Sequence, residues 1–331
     1  MNQDLVVEVK GLTKRYGENL AVDHLNLQVK RREISGFLGP NGSGKTTTIR
    51  MLTGLTKPTY GTAKVSGRDC VREGLAVRRR IGVVSETSNL YNEMSAWDNL
   101  QFIGGLYGVD KTTRTERAKR LLQAFQLHER RNDRLVGYSK GMKRRVRIAA
   151  ALMHDPEVLF LDEPTSGLDV QSSRIIRVLL RELNKQGMTI FLTTHYIDEA
   201  DELCGWVAII KQGKVAVEGA PEQLKLSLQG EHIVEVALSE GGSDLESFLR
   251  NESLVKEVTK QGDKYQVHTA DSSSLIKRIV EFAVSAGLEI ISMNTSQPSL
   301  EDVFVKYTGL DAVQLERMEL LRAVKVGAQH A

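Results

Sequence analysis

The sequence predicts an α/β protein with a mixed, mostly parallel sheet covered on both faces, a helical insertion, and a small α+β unit behind it. Three observations carry this. Short runs rich in Val, Leu and Ile alternate with helical-period segments, as in "VLFLDEP", "QSSRIIRVLLRELNKQ" and "MTIFLTTH". That alternation is the pattern of parallel strands joined by crossover helices. From Ser95 to about Ala151 the period stays helical, and beyond roughly Gln229 the order of elements restarts.

Taken in order, "LVVEVKGLTKRYG" and "LAVDHLNLQVKRREISGFLG" alternate apolar and polar residues and read as strands. "KTTTIRMLTGL" reads as a helix ending near Gly54, and "RIGVVSE" as a short strand with a turn after it. The helical block follows as "SAWDNLQFIGGLYG", "TRTERAKRLLQAFQL" and "GMKRRVRIAAALM". Strands return in "EVLFLDEP", "MTIFLTTH" and "GWVAIIKQGKVAVEG", with "QSSRIIRVLLRELNKQ" and "IDEADELC" as helices between them. These segments make a first domain over 1–225, its helical subdomain spanning about 95–155. Over 229–310, "HIVEVAL", "DLESFLRN", "LVKEVTKQGDKYQVHTA", "SSSLIKRIVEFAVSAG" and "LEIISMNT" give βαββαβ, with a hairpin turn at Gly262-Asp263 and a serine-capped helix. That is the split-βαβ order of a ferredoxin-like unit. A tail, 311–331, reads as a short helix with a loose end.

At 331 residues the chain exceeds one typical domain. A hydrophobic share of 41% suffices for a packed core, and a net charge of +3 neither requires nor excludes a nucleic-acid or membrane partner. Cys70 and Cys204 lie far apart, which argues against a zinc site or disulfide framework and fits a reducing compartment. The N-terminus lacks signal-peptide character, and no run reaches the ~18 apolar residues of a membrane span. The expectation is a cytoplasmic chain, held at a membrane only through a partner.

The chemistry concentrates in two motifs. Gly39, Pro40, Asn41, Gly42, Ser43, Gly44, Lys45 and Thr46 fit G-x-x-x-x-G-K-[ST] between a strand and a helix, the context of a phosphate loop. Glycines let successive N–H groups turn inward as an anion nest; Lys45 reaches the outer phosphates, and the Thr46 hydroxyl binds Mg²⁺. In "VLFLDEP", four apolar residues carry Asp162 to the C-terminal edge of the sheet, where ligands bind in open α/β folds. Asp162 can hold Mg²⁺ there, and Glu163 can orient or deprotonate an attacking water. Guanine recognition is not supported, because "NKQG" at 184–187 lacks the aspartate of an NKxD motif and sits at a helix end.

"YSKGMKRR", Tyr138 to Arg145, opens another helix suited to an anion, with Ser139 as cap and Gly141 allowing close approach. Together, "GPNGSGKTT", "YSKGMKRR", "LFLDEPTSGLD" and "LTTH", in this order and spacing, resemble the ATP-binding subunit of an ABC transporter over roughly residues 4 to 220. The resemblance implies a P-loop ATPase core that binds ATP and Mg²⁺, with Thr47 also in the nucleotide loop. It makes "YSKGM" the signature motif, whose Ser139 and Gly141 contact ATP bound to the opposite subunit. Function then requires a head-to-tail dimer, of two copies or of this chain and a sister. By the same resemblance Tyr16 stacks on adenine, Glu163 is the general base, Asp169 couples the two sites, and His195 contacts the γ-phosphate.

Two positions depart from the family pattern. Glu86 stands where a glutamine is usual; its carboxylate still suits Mg²⁺ or its water but adds negative charge beside the γ-phosphate. Lys140-Gly141 stands for the usual pair of glycines, and Lys140 is expected to point to solvent. "SLEDVFVKYTG", Ser299 to Gly309, is similar to the closing segment of ABC-2 type exporter ATPases, which favours export.

The leading functional expectation is therefore an ATPase that powers separate integral membrane subunits from the inner face of the cell membrane. In family members these dock near Glu86 to Trp97, where Tyr91, Met94 and Trp97 fit either exposed contacts or core packing. The alternative is a soluble ABC-type ATPase acting on nucleic acid or ribosomes. It fits less well, since there is one phosphate loop and no sustained heptad repeat. The basic run from Arg130 to Arg147 reads as a solvated helix face, with only Tyr138 near it to stack on bases, so no nucleic-acid partner is expected.

Overall fold

The computed structural model describes residues 4–85, 90–228, 232–238, 242–261, 264–296 and 298–310. Glu86, the Gly262-Asp263 turn and the 311–331 tail fall outside them. The chain divides after Ala220 into two compact units.

The first unit opens with β1 (Leu5–Tyr16) and β2 (Asn19–Lys30), which pair antiparallel; β3 (Ile34–Leu38) leads into α1 (Lys45–Leu52). Next come β4 (Tyr60–Val65), β5 (Arg68–Asp69), α2 (Gly74–Arg78) and β6 (Ile81–Val84). The helical block comprises α3 (Ala96–Leu106), α4 (Lys111–Ala124) and α5 (Lys140–Ala151). It is followed by β7 (Val158–Asp162), α6 (Val170–Lys185), β8 (Thr189–Thr194), α7 (Ile197–Leu203), β9 (Trp206–Lys211) and β10 (Lys214–Gly219).

Two sheets result. One runs β10-β9-β3-β8-β7-β6, parallel except for β10, and the other is antiparallel in the order β2-β1-β4-β5. The alternation in the first 30 residues thus builds a separate antiparallel sheet. β3, β7 and β8 are buried along their whole length, as strands covered on both faces must be. Phe37, Phe191 and Phe160 pack in sequence across β3, β8 and β7 with centroids 5.8 and 5.7 Å apart. They join one core with Val7, Leu12 and Val29 of the antiparallel sheet and Ile49 and Leu52 of α1. This core fixes α1 and the C-terminal ends of the parallel strands, the parts that carry the site.

The second unit begins with α8 (Pro221–Leu226) and continues as β11 (His232–Leu238), α9 (Gly242–Asn251), β12 (Val255–Gln261), β13 (Lys264–Thr269), α10 (Ser272–Ala286), β14 (Ile290–Ser296) and α11 (Leu300–Thr308). Its antiparallel sheet has the order β12-β13-β11-β14, the ferredoxin-like arrangement, and Val234, Val236, Val267, Leu245 and Ile279 fill its core. The cap of α10 differs from the serine expected. Asp271 fills that position, accepting from the Ser274 N–H at 3.0 Å. The segment "SLEDVFVKYTG" is α11, started by a capping box between Ser299 and Asp302. Among the described residues no helix is long and apolar enough to cross a membrane.

Candidate functional site

The phosphate loop lies wedged between β9 and β2, and its glycines are set by that wedge. A Cβ on Gly39 would lie 2.5 Å from the Ile210 carbonyl oxygen, and one on Gly44 2.5 Å from that of Ala21. Gly44 also caps α1 at φ +108°, a backbone that L side chains rarely adopt. The Gly213 N–H donates to the Ser43 carbonyl at 3.0 Å, pinning the loop to the β9–β10 turn. Tyr16 ends β1 and pairs with Asn19, which lies two residues before the Ala21 that abuts Gly44; Tyr16 is 47% exposed.

The charged side chains converge just beyond this loop. Lys45 Nζ is buried, donates to the Gly39 and Pro40 carbonyls at 2.5 and 3.2 Å, and lies 3.3 Å from Glu163 Oε1. Thr46 Oγ1 donates to Asp162 Oδ1 at 3.3 Å, and Thr193 Oγ1 donates to the same oxygen at 2.6 Å. Thr46 and Asp162 therefore present hard oxygen donors from the first turn of α1 and the end of β7, a donor set that fits a divalent cation. His195 Nδ1, just past β8, lies 2.7 Å from Glu163 Oε2.

Glu163 itself holds a left-handed backbone, φ +52°, while its N–H donates to the Thr193 carbonyl at 3.1 Å. A non-glycine residue kept there is strained, and such strain clusters at functional sites. Burial works to raise its pKa, but the His195 ring and the Lys45 ammonium together hold it below the ordinary glutamate value. Glu163 is thus ready as an anion.

Reasoning from sequence missed Glu199. It is 2% exposed, accepts from Thr165 Oγ1 at 2.9 Å, and ties α7 to the loop after Asp162 and Glu163. Burial pushes its carboxyl up, and the nearby Glu163 charge adds to that. Its position four residues after His195 was the available signal.

The remaining residues group elsewhere. Ser139 caps α5, accepting from the Met142 N–H at 3.2 Å, and Lys140 is exposed. Gly141 is buried against Ser172 at the start of α6. Asp169 caps α6, accepting from the Ser172 N–H at 2.8 Å. The basic run is not a uniformly solvated face. Arg144 is 6% exposed, and Arg145 donates to the Phe125 carbonyl at 2.9 Å. Tyr91 is exposed, whereas Met94 and Trp97 are half-buried.

A phosphate loop, an Asp-Glu strand end and a histidine past the neighbouring strand define a P-loop ATPase site. The ABC transporter family profile matches residues 22–166, and that of the DrrA1-3-like ATP-binding protein C-terminal domain matches 219–308. The daunorubicin resistance ATP-binding protein DrrA3 of Streptomyces coeruleorubidus is 37% identical, covering 93% of this chain and 97% of that protein. The linearmycin resistance ATP-binding protein LnrL of Bacillus subtilis is 33% identical over 92% and 98% of the two chains. The Nod factor export ATP-binding protein I of Ralstonia nicotianae is 36% identical over 92% and 94%. Among solved structures, the ATP-binding subunit of an ABC transporter aligns with TM-score 0.62 and 29% identity over 67% of this chain and 92% of that one. A dimeric ATP-binding cassette in a post-hydrolysis state, bound to ADP and Pi, aligns with TM-score 0.59 and 30% identity over 65% and 98%. The chain belongs to the ATP-binding proteins of the ABC transporter family, and it is an ATPase.

Proposed function

We propose that this chain is the ATP-hydrolysing subunit of an ABC exporter, working as a nucleotide-sandwich dimer beneath separate membrane subunits. The observation that carries the reading is the cluster of Lys45, Glu163 and His195 at the mouth of the phosphate loop. The loop N–H groups and Lys45 bind the triphosphate, and Tyr16 lies against the adenine. Thr46 and Asp162 hold Mg²⁺, which supplies charge neutralisation at the phosphates; Glu86 is the further ligand candidate. Glu163 takes a proton from the attacking water, held as an anion by its neighbours, while His195 orients that carboxylate and reaches the γ-phosphate.

Ser139 and Gly141 belong to the site of the facing subunit, a second copy or a sister chain, and Asp169 couples the two sites. The dimeric cassette bound to ADP and Pi supports such pairing by likeness. Drug-resistance and Nod factor export relatives support export.

A groove of about 350 Å³ lined by Leu55, Tyr91, Phe102, Leu106 and Tyr107 suits an apolar helix of a membrane subunit at the inner face of the membrane. Backbone bonds from Leu135 to Met94 and from Val136 to Asn92 then link that groove to the segment before Ser139. The test is Glu163→Gln, which lowers turnover about 100- to 10,000-fold and leaves ATP binding intact. Size-exclusion with Mg-ATP then yields a dimer; a monomer at every nucleotide concentration overturns the sandwich.

A further inference from the structure

Ser172 of the same chain leaves no room for a side chain at Gly141. An ideal Cβ at position 141 would lie 2.3 Å from Ser172 Oγ and 2.6 Å from Ser172 Cβ, with Ser172 Cα at an ordinary 3.8 Å. The same Ser172 hydroxyl donates to Asp169 Oδ2 at 2.7 Å, while its N–H donates to Asp169 Oδ1 at 2.8 Å. One side chain therefore touches both the first turn of α5, capped by Ser139, and the first turn of α6, capped by Asp169. These two turns come from segments about thirty residues apart and are the two proposed to face the other subunit.

We propose that Ser172 is a positioning residue for the ATPase: it clamps the Ser139-Gly141 turn to the Asp169 loop so that both move as one rigid element. The clamp acts through two contacts. The hydroxyl holds the Asp169 carboxylate in its capping pose. The close approach of Ser172 to the bare Gly141 backbone fixes the spacing of the two helix starts, which a methyl group at 141 would force apart. In-chain sterics then explain why a bulky neighbour is tolerated at Lys140, which is exposed, but not at 141. The proposal rests on the sandwich reading for what the clamped element does, but its geometry lies within one chain.

The experiment is a double-mutant cycle on the full chain, reading kcat, KM for ATP and Tm. Gly141→Ala lowers kcat about 10- to 100-fold, as a misplacement near 1 Å does, and lowers Tm. Ser172→Ala alone removes the hydroxyl bridge and lowers kcat, normalised to the ATP-binding fraction of the protein, about 3-fold with KM nearly unchanged; the normalisation separates this from a loss of folded chain.

Gly141→Ala combined with Ser172→Gly, where both clashing atoms are gone, returns kcat and Tm to the level of Ser172→Gly alone. Gly141→Ala combined with Ser172→Ala stays impaired, because the 2.6 Å Cβ clash remains. Additive effects in the Ser172→Gly cycle, on either kcat or Tm, overturn the clamp, and they leave the sandwich intact if the wild type still pairs with ATP. Failure of the wild type to pair overturns the sandwich instead, and the cycle still decides the clamp on the chain's own turnover.

Discussion

The phosphate-loop region and the Ser139-Gly141 region are both helix starts suited to anions, yet they are built in opposite ways. Around the loop, residues from α1 and from the ends of β7 and β8 meet in two sets of contacts of 3.3 Å or less, Lys45 and His195 on Glu163 and Thr46 on Asp162. Around Ser139 the described contacts run to the helix itself and to Ser172 and Asp169; the Ser139 side chain is exposed. The first region gathers charge and buries it. The second stiffens a surface and points it outward. A buried, charged loop and an exposed helix start braced from within the chain are the division that the proposed shared nucleotide site needs.

The largest effect that would break this contrast falls on the buried side. Lys45→Ala removes a cation whose ammonium touches two loop carbonyls and Glu163. A charge-assisted phosphate contact of about 1.5–3 kcal/mol is lost, so ATP binding weakens about 10- to 100-fold in calorimetry. The same change removes the ammonium that helps hold Glu163 as an anion, so turnover falls as well. Unchanged affinity would mean that the loop's N–H groups alone bind the triphosphate.

Much of the buried region was legible beforehand because its constraints are local. A backbone nest needs glycines at fixed spacing, and a carboxylate delivered by four apolar residues must emerge at a strand end. Gly39, Lys45 and Asp162 obey those rules within short windows. Glu199, for which the spacing from His195 was the one local hint, and Ser172, which had none, depend on partners 34 and 31 residues away, Thr165 and Gly141. The strands β4 and β5 escaped for another reason. Four of the six residues of β4 are exposed, so "YGTAKV" shows too little apolar alternation to be read. Asp271 won the cap of α10 over the serines after it because a carboxylate placed one residue earlier reaches the Ser274 N–H.

A smaller effect sharpens the outward-facing side. Ser139 serves as cap in the chain and, in the proposed dimer, as a donor to the facing triphosphate; the two roles separate by substitution. Ser139→Asp keeps a good cap, so Tm stays within about 2 °C. It places a negative charge before the facing triphosphate, and ATP-dependent pairing of the Glu163→Gln protein weakens about 10-fold or more. Affinity of the separate chain for ATP is unaffected. Loss of Tm with pairing preserved would reverse the assignment.

The smallest effect tests how deeply the buried region depends on its third carboxylate, Glu199. Glu199 is surrounded by Thr165 and Thr194, with Glu163 just past β7, Arg177 on α6 and Cys204 after α7 as its charged or titratable neighbours. Burial first, and then the Glu163 charge, raises its pKa; the threonines and Arg177 pull the other way without prevailing. A carboxyl with a raised folded pKa contributes stability that is full below the unfolded value and lost as pH rises through the folded one. Glu199→Gln keeps the acceptor for Thr165 and carries no proton to lose. Relative to wild type, its Tm should therefore improve as pH climbs above the ordinary carboxylate range, by about 2–4 °C for each kcal/mol recovered. A pH-independent difference would show that Glu199 keeps the same protonation folded and unfolded, and that the region tolerates two buried anions side by side.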